Sequence, residues 1–198
     1  MLVKPTPRNV NLGSGRFAML NKERDISQLE QGEADVAVGG FTELAAGIRE
    51  QTLYEDRYVC VMREGHPLCT GKLSQDAFCS AKHILVRAHT VNHVQQEVEY
   101  KLLELLPQSS IRLISESFVA AMLMASRSDL ILTAPSGILA YFEKHLRLVG
   151  RQMPMKLPIF FVKQYWHERF ENDPGNQWLR RGIRVITSHA PAVMRYHG

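Results

Sequence analysis

Cysteine is scarce in this chain: its 198 residues hold only Cys60, Cys69 and Cys79. The number is odd and no C-x-x-C pair occurs, which argues against a disulfide framework and against a structural zinc site. Reduced thiols fit a cytoplasmic setting. No run approaches the ~18 apolar residues of a membrane span, and the opening MLVKPTPRNVNLGSG lacks the apolar segment of a signal peptide. A cytoplasmic location without membrane contact is the expectation. Gly-rich phosphate loops are missing as well, since GSGRF has neither the Rossmann spacing nor the Walker lysine. There is no G-x-S-x-G, no internal repeat and no low-complexity linker.

Charge of one sign is also in short supply. Twenty-four Lys and Arg face 20 Asp and Glu, a net charge of +4. The basic residues are dispersed, and the clusters Arg180, Arg181, Arg184 and Lys144 to Arg151 read as solvated helix faces. No helix-turn-helix pattern is present, so sequence-specific DNA binding is not expected of these residues. The composition is 45% hydrophobic and 22% charged, and the length suits one large domain or two small lobes.

What is present is an alternation of helical and extended signals. Ile26 and Leu29 lie at helical spacing and Gly32 is placed to stop that helix. Ala34 to Val38 then reads as a strand ending in Gly39-Gly40, where another group can approach the backbone closely. A short strand at Val10 to Leu12 precedes them. Tyr58 to Met62 is continuous in apolar residues and reads as a strand buried on both faces. A short helix is expected over Lys72 to Ala77, then a strand over His83 to Ala88. Val94, Val98, Leu102 and Leu105 keep a helical stripe that Pro107 ends. Strands follow at Ser110 to Ser117, Leu130 to Pro135 and within LPIFFVKQYW. Helices are expected from Ser117, as an N-cap, from GILAYFEKHL, and over GNQWLRRGIRVITSHA. The fold class is α/β, with largely parallel sheets expected. The apolar strands Tyr58–Met62 and Leu157–Val162 flank a self-contained α/β block, as hinges between two lobes would.

Nucleophilic and metal chemistry find little support. Ser136 in APSGI precedes a helix as an N-cap does. His89 and His93 would share a helix face, but no acidic residue joins them at a ligand-like interval, so no metal and no cofactor are expected. His66 precedes a proline at a turn and reads as a local hydrogen-bonding residue. Cys60, mid-strand among valines, reads as a small buried hydrophobe. The strand ends and helix starts remain: AVGGF, RAHTV, SESFV and LTAPSG. Helix N-termini suit a carboxylate. Thr90, Ser117 and Thr133 supply hydroxyls, and Phe41, Phe118 and Trp166 supply apolar faces. Each is equally readable as a cap or a core member. With Gly40 before Phe41, His89 beside Thr90 and His167 after Trp166, these form the candidate ligand-binding set.

Three stretches carry a family resemblance. LEQGEADVAVGG resembles the L-x-x-G-x-x-D-hydrophobic-A segment of the effector-binding domain of LysR-type transcriptional regulators. LYEDRYVCVMREGHPL looks like that family's following strand and His-Pro-Leu turn. YWHERFENDPGNQWLRRGI is similar to the closing segment of a branch that regulates aromatic-compound degradation and nodulation. They run in order from about Leu29 to Ile186.

The resemblance implies two Rossmann-like lobes joined by two hinge strands, akin to type 2 periplasmic binding proteins, with a small organic acid between them, aromatic by the branch resemblance. Residues 1–62 plus 158–198 would form lobe I and residues 63–157 lobe II. Asp173 would cap the last helix, Pro174 would open it, and Trp178 and Leu179 would pack onto the sheet. The implied partners are the effector, a second copy in a homodimer or tetramer of the full-length protein, and DNA only through an N-terminal domain that this chain lacks. The family's first strand and helix are expected to be missing too, which bears on both pocket and pairing. Two other readings stand beside this one. One is a stand-alone cytoplasmic small-molecule binding protein of the same fold. The other is an α/β enzyme using histidines and Asp173, for which no nucleophile–base spacing is present.

Overall fold

A computed structural model describes residues 2–3, 22–40, 44–87 and 93–188. The strand expected at Val10 to Leu12 lies outside them, as do Phe41, His89 and Thr90. The described chain separates into two compact units. The first holds the described residues up to Glu55 and Phe161 to Ser188, and the second holds Asp56 to Arg87 and His93 to Phe160.

In the first unit, β1 (Leu2–Val3) pairs antiparallel with β2 (Val36–Gly39). Helix α1 (Lys22–Gln31) leads into β2 and ends at Gly32, whose φ is +74°. The left-handed conformation lets Glu33 and Ala34 donate back to the Gln28 carbonyl at 2.9 and 3.1 Å. Strand β8 (Ile159–His167) runs antiparallel to β2, with Ala37 opposite Tyr165 and Gly39 opposite Lys163. It also borders β3 (Ile48–Arg63). Leu29, Ala34, Ala37 and Tyr165 form the core. Helix α6 (Pro174–Ser188) closes the unit with Pro174 as its first residue, where a missing N–H costs nothing. Asp173 caps it by accepting from the Asn176 N–H at 2.8 Å. Trp178 corrects an expectation: it is 66% exposed and does not pack onto the sheet. Asn176 and Ile183 are the residues of α6 that are buried, and Asn176 donates to the Asp35 carbonyl at 2.8 Å.

The second unit is a sheet with helices on both faces. Its second half of β3 lies between β7 (Leu148–Gln152) and β6 (Leu130–Pro135), both antiparallel to it. Parallel pairing follows, β6 to β4 (Lys82–Val86) and β4 to β5 (Ile111–Ser115). Tyr58, Cys60 and Met62 enter one apolar cluster, together with Phe78 of α2 (Gln75–Ser80) and Val98 and Leu102 of α3 (His93–Leu105). Val59 and Val61 enter the other, with Met122 of α4 (Phe118–Ser126) and Leu139 of α5 (Ser136–Leu146). The two-residue period of a strand sends alternate side chains to each cluster, so 59 through 62 are all buried, as their continuous apolarity requires.

Largely parallel pairing is corrected. Among the described pairings, β1–β2, β2–β8, β3–β6 and β3–β7 are antiparallel, and only β4–β5 and β4–β6 are parallel. Parallel strands need a helical crossover, and α3, between β4 and β5, and α4, between β5 and β6, stand where those connections are made. Helix α2 starts three residues later than expected because the Ser74 hydroxyl accepts from the Ala77 N–H at 3.2 Å.

Candidate functional site

In the second unit the parallel strands β4, β5 and β6 end on the same side, where open α/β sheets place ligands. Helices α4 and α5 begin there. Ser117 caps α4, its hydroxyl accepting from the Ala120 N–H at 3.4 Å. Phe118 follows and packs against both apolar clusters. Thr133 sits one residue beyond the Leu132–Ile84 pairing, level with Leu85, and is buried. It lies opposite Cys60, and its hydroxyl has only a long contact, 4.0 Å, with the Met153 sulfur. So Ser117, Phe118 and Thr133 share one unit and one end of its sheet.

Helix α5 starts differently from expectation. Its N-cap position is Pro135, and Ser136 is its first residue. The Ser136 hydroxyl donates to Asp56 Oδ1 at 2.5 Å, while the Gly137 N–H donates to both carboxylate oxygens at 3.2 and 3.1 Å. Asp56 also accepts from the Arg57 N–H at 2.7 Å and is only 3% exposed. A carboxylate from β3 thus occupies the positive end of α5. The sequence reading missed this residue. Its signal is parity: Asp56 falls in step with Tyr58, Cys60 and Met62, so it is an acid at an inward strand position.

In the first unit, Gly40 follows β2 and Trp166 lies toward the end of β8. The register puts Trp166 level with Val36, so about 13 Å of strand separates it from Gly40. The indole is fully engaged. Its N–H donates to Glu171 Oε2 at 2.6 Å, and the Arg180 guanidinium lies 4.0 Å above the ring. Arg180 also donates to the Glu171 carbonyl at 2.9 Å. His167 Nδ1 accepts from the Arg169 N–H at 3.2 Å. Trp166 and His167 therefore tie β8 to α6 through the turn between them, and Gly40 stands apart from both. Beside Trp166, Gln164 is fully buried and its amide donates to Gln51 Oε1 at 2.7 Å.

The remaining reactive groups are quiet. Burial pushes the Cys60 thiol well up, which keeps it protonated and inert. His66 is a buried turn residue, as expected. Its Nδ1 accepts from the Leu68 N–H at 3.0 Å, which assigns the proton to Nε2, 3.3 Å from the Asp129 carbonyl. Among the described residues no three His, Cys, Asp or Glu side chains gather as a metal site would need, and no helix is long and apolar enough to cross a membrane.

With this geometry in place, three comparisons bear on the chain. Residues 16–184 match the family model described as "LysR substrate binding domain". The HTH-type transcriptional regulator LinR of Sphingobium indicum is 36% identical over 175 residues, covering 88% of this chain and 57% of that protein. The HTH-type transcriptional activator NagR of a Ralstonia species is 32% identical over 162 residues, 82% of this chain and 53% of its own length. The chain thus spans about half the length of these relatives. Among solved structures, the regulatory domain of MexT, a transcriptional activator in Pseudomonas aeruginosa, superposes with a TM-score of 0.67 at 22% identity, over 84% of this chain and 81% of that one.

Proposed function

The chain belongs to the LysR family of transcriptional regulators through their substrate-binding domain, and from this premise we propose that it senses a small organic acid and passes that occupancy to an attached DNA-binding domain. Its fold is the type 2 periplasmic-binding-protein-like fold of such regulatory domains. The observation that carries the reading is the family match over residues 16–184, joined by relatives that are themselves transcription regulators.

The residues we assign to the effector are Gly40 and Phe41 after β2, His89 and Thr90 after β4, Ser117 and Phe118 at the start of α4, and Thr133 in β6. Thr133 supports this best, because its buried hydroxyl has no strong partner. Trp166 and His167 complete the assigned set, with the Trp166 N–H and His167 Nδ1 held by the turn into α6. Aromatic acids are favoured because Phe118 follows the hydroxyl of Ser117 at the head of α4. In this reading the chain performs no catalysis and works in the cytoplasm. Residues 1–62 with 158–198 and residues 63–157 act as the two lobes. The full-length protein pairs as a homodimer or tetramer and meets DNA through a domain outside this chain. Effector binding then shifts a conformational equilibrium by its differential affinity for the two states.

A thermal-shift screen against hydroxybenzoates, flavonoids and aliphatic acids tests the reading. A ligand that binds only the folded chain stabilises it by about 2.7 kcal/mol at a hundredfold excess over Kd. A concentration-dependent rise for one chemical class is the expected result. A cooperative transition that no acid moves would sink the sensor reading.

A further inference from the structure

We propose that the second unit carries a separate binding site for a small organic carboxylate, built on the guanidinium of Arg151. A cavity of about 550 Å³ lies between the Lys72–Gln75 segment and the end of β7. That volume lies within the usual range of small-molecule sites. Arg151 and Lys72 supply its cations, and Leu73, Met153 and Pro154 its apolar wall. Among the described residues no acidic side chain lines it.

Arg151 lies opposite Cys60 in the β3–β7 register, so it points to the inward side of the sheet. An arginine at such an inward strand position is often matched by a carboxylate. Here the match is missing. The guanidinium donates through Nη2 to the carbonyl of Gly71, and its Nε is shut off from solvent with no hydrogen-bond partner. Neither Arg151 nor Lys72 takes part in any described ion pair. The cavity therefore holds two positive groups beside an apolar wall. A carboxylate would supply the missing counter-charge. The apolar wall and the spare volume call for a hydrocarbon body on that carboxylate rather than a bare inorganic anion. The site shares no residue with the effector set proposed above; because Met153 touches Thr133, it is Arg151, Gly71 and Lys72 whose resonances tell the two apart.

The experiment is an NMR titration of the 198-residue chain with sodium benzoate, and separately with inorganic phosphate, at constant ionic strength. The resonances to follow are the Arg151 Nε–H and the amides of Gly71, Lys72 and Met153. Benzoate should shift them saturably, and phosphate should do so more weakly. Arg151→Met should weaken benzoate by about tenfold or more, the scale of a charge-assisted hydrogen bond, and Lys72→Ala by a smaller factor. Shifts confined to Gly40, Ser117 and Thr133 would report the effector set alone and overturn this site. Unchanged affinity in Arg151→Met would do the same, or in Lys72→Ala if Arg151→Met does not fold. Phosphate binding as tightly as benzoate would overturn the organic character of the ligand.

Discussion

At the scale of single residues, His83 is the group whose environment makes a measurable claim. It is 2% exposed, its Nε2 lies 2.7 Å from the Phe78 carbonyl, and its ring meets the edge of Phe78 at 4.5 Å. Burial lowers its pKa below the usual 6.5, outweighing the raising effect of the Phe78 hydrogen bond. The unfolded chain therefore binds a proton that the folded chain refuses as pH falls through about 6.5. Stability present above that pH is lost on the way down to the folded pKa. We expect the unfolding midpoint of the native chain to fall between about pH 7.5 and pH 5.5. His83→Gln keeps a neutral donor for the Phe78 carbonyl and should fall less over the same window. Parallel denaturation curves for the two proteins would remove His83 as the cause. Thr133→Val tests the site at the same scale. It keeps the shape and deletes a hydroxyl whose only described partner is a sulfur 4.0 Å away. Stability without ligand should change by less than about 1 kcal/mol, while the shift produced by the best acid of the screen should shrink. An undiminished ligand shift would take Thr133 out of the site.

At the scale of elements, the starts and stops of helices carry stability that can be read by substitution. Asp56→Ala would strand the Ser136 hydroxyl and the Gly137 N–H at the head of α5. Its expected cost is about 3 kcal/mol, against about 1 kcal/mol for Ser136→Ala, and the double variant should cost less than the sum. Chemical denaturation of the four proteins measures this; strict additivity would show that the two side chains do not act together. Gly32→Ala places a Cβ 2.9 Å from Arg169 Nη2 at a φ of +74°. It should cost about 1–2 kcal/mol, because an L residue is strained there and the Arg169 bond to the Leu29 carbonyl must yield.

Helix boundaries such as these were legible in sequence because Gly32, Ser117 and Pro174 signal them chemically. Strand β3 was legible only at Tyr58–Met62. Its first ten residues carry Arg49, Glu50, Glu55, Asp56 and Arg57, which interrupt any apolar run. Strand β7, LVGRQ, went unread because Gly150 and Arg151 look like loop residues. Of the candidate site, the Ser117 cap was legible from its own helix. The Asp56 carboxylate was not, because it reaches α5 from 80 residues away in the chain.

At the scale of the whole chain, the two units are unequal in what holds them. The second has two apolar clusters, one on each face of its sheet, with Phe78, Met122, Ile131 and Leu132 fully enclosed. Among the described residues the first has a cluster of four, two of them alanines. Its α6 leaves Trp178, Val185 and Ile186 more than half exposed. Apolar burial is the main favourable term in folding and scales with area, so the first unit should open at lower free energy than the second. Native-state hydrogen exchange checks this directly. Amides of β4 and β6, such as Ile84 and Leu132, should exchange slowest. Those of β2 and α6 should exchange at least about tenfold faster, the factor expected for a difference of ~1.4 kcal/mol in opening energy. Equal protection in both units would mean that they unfold as one. If the inequality holds, an effector that binds through Gly40 has most to gain by ordering the weaker unit. Its addition should then slow exchange in β2 more than in β6. Slowing confined to the second unit would show that the ligand does not act through Gly40.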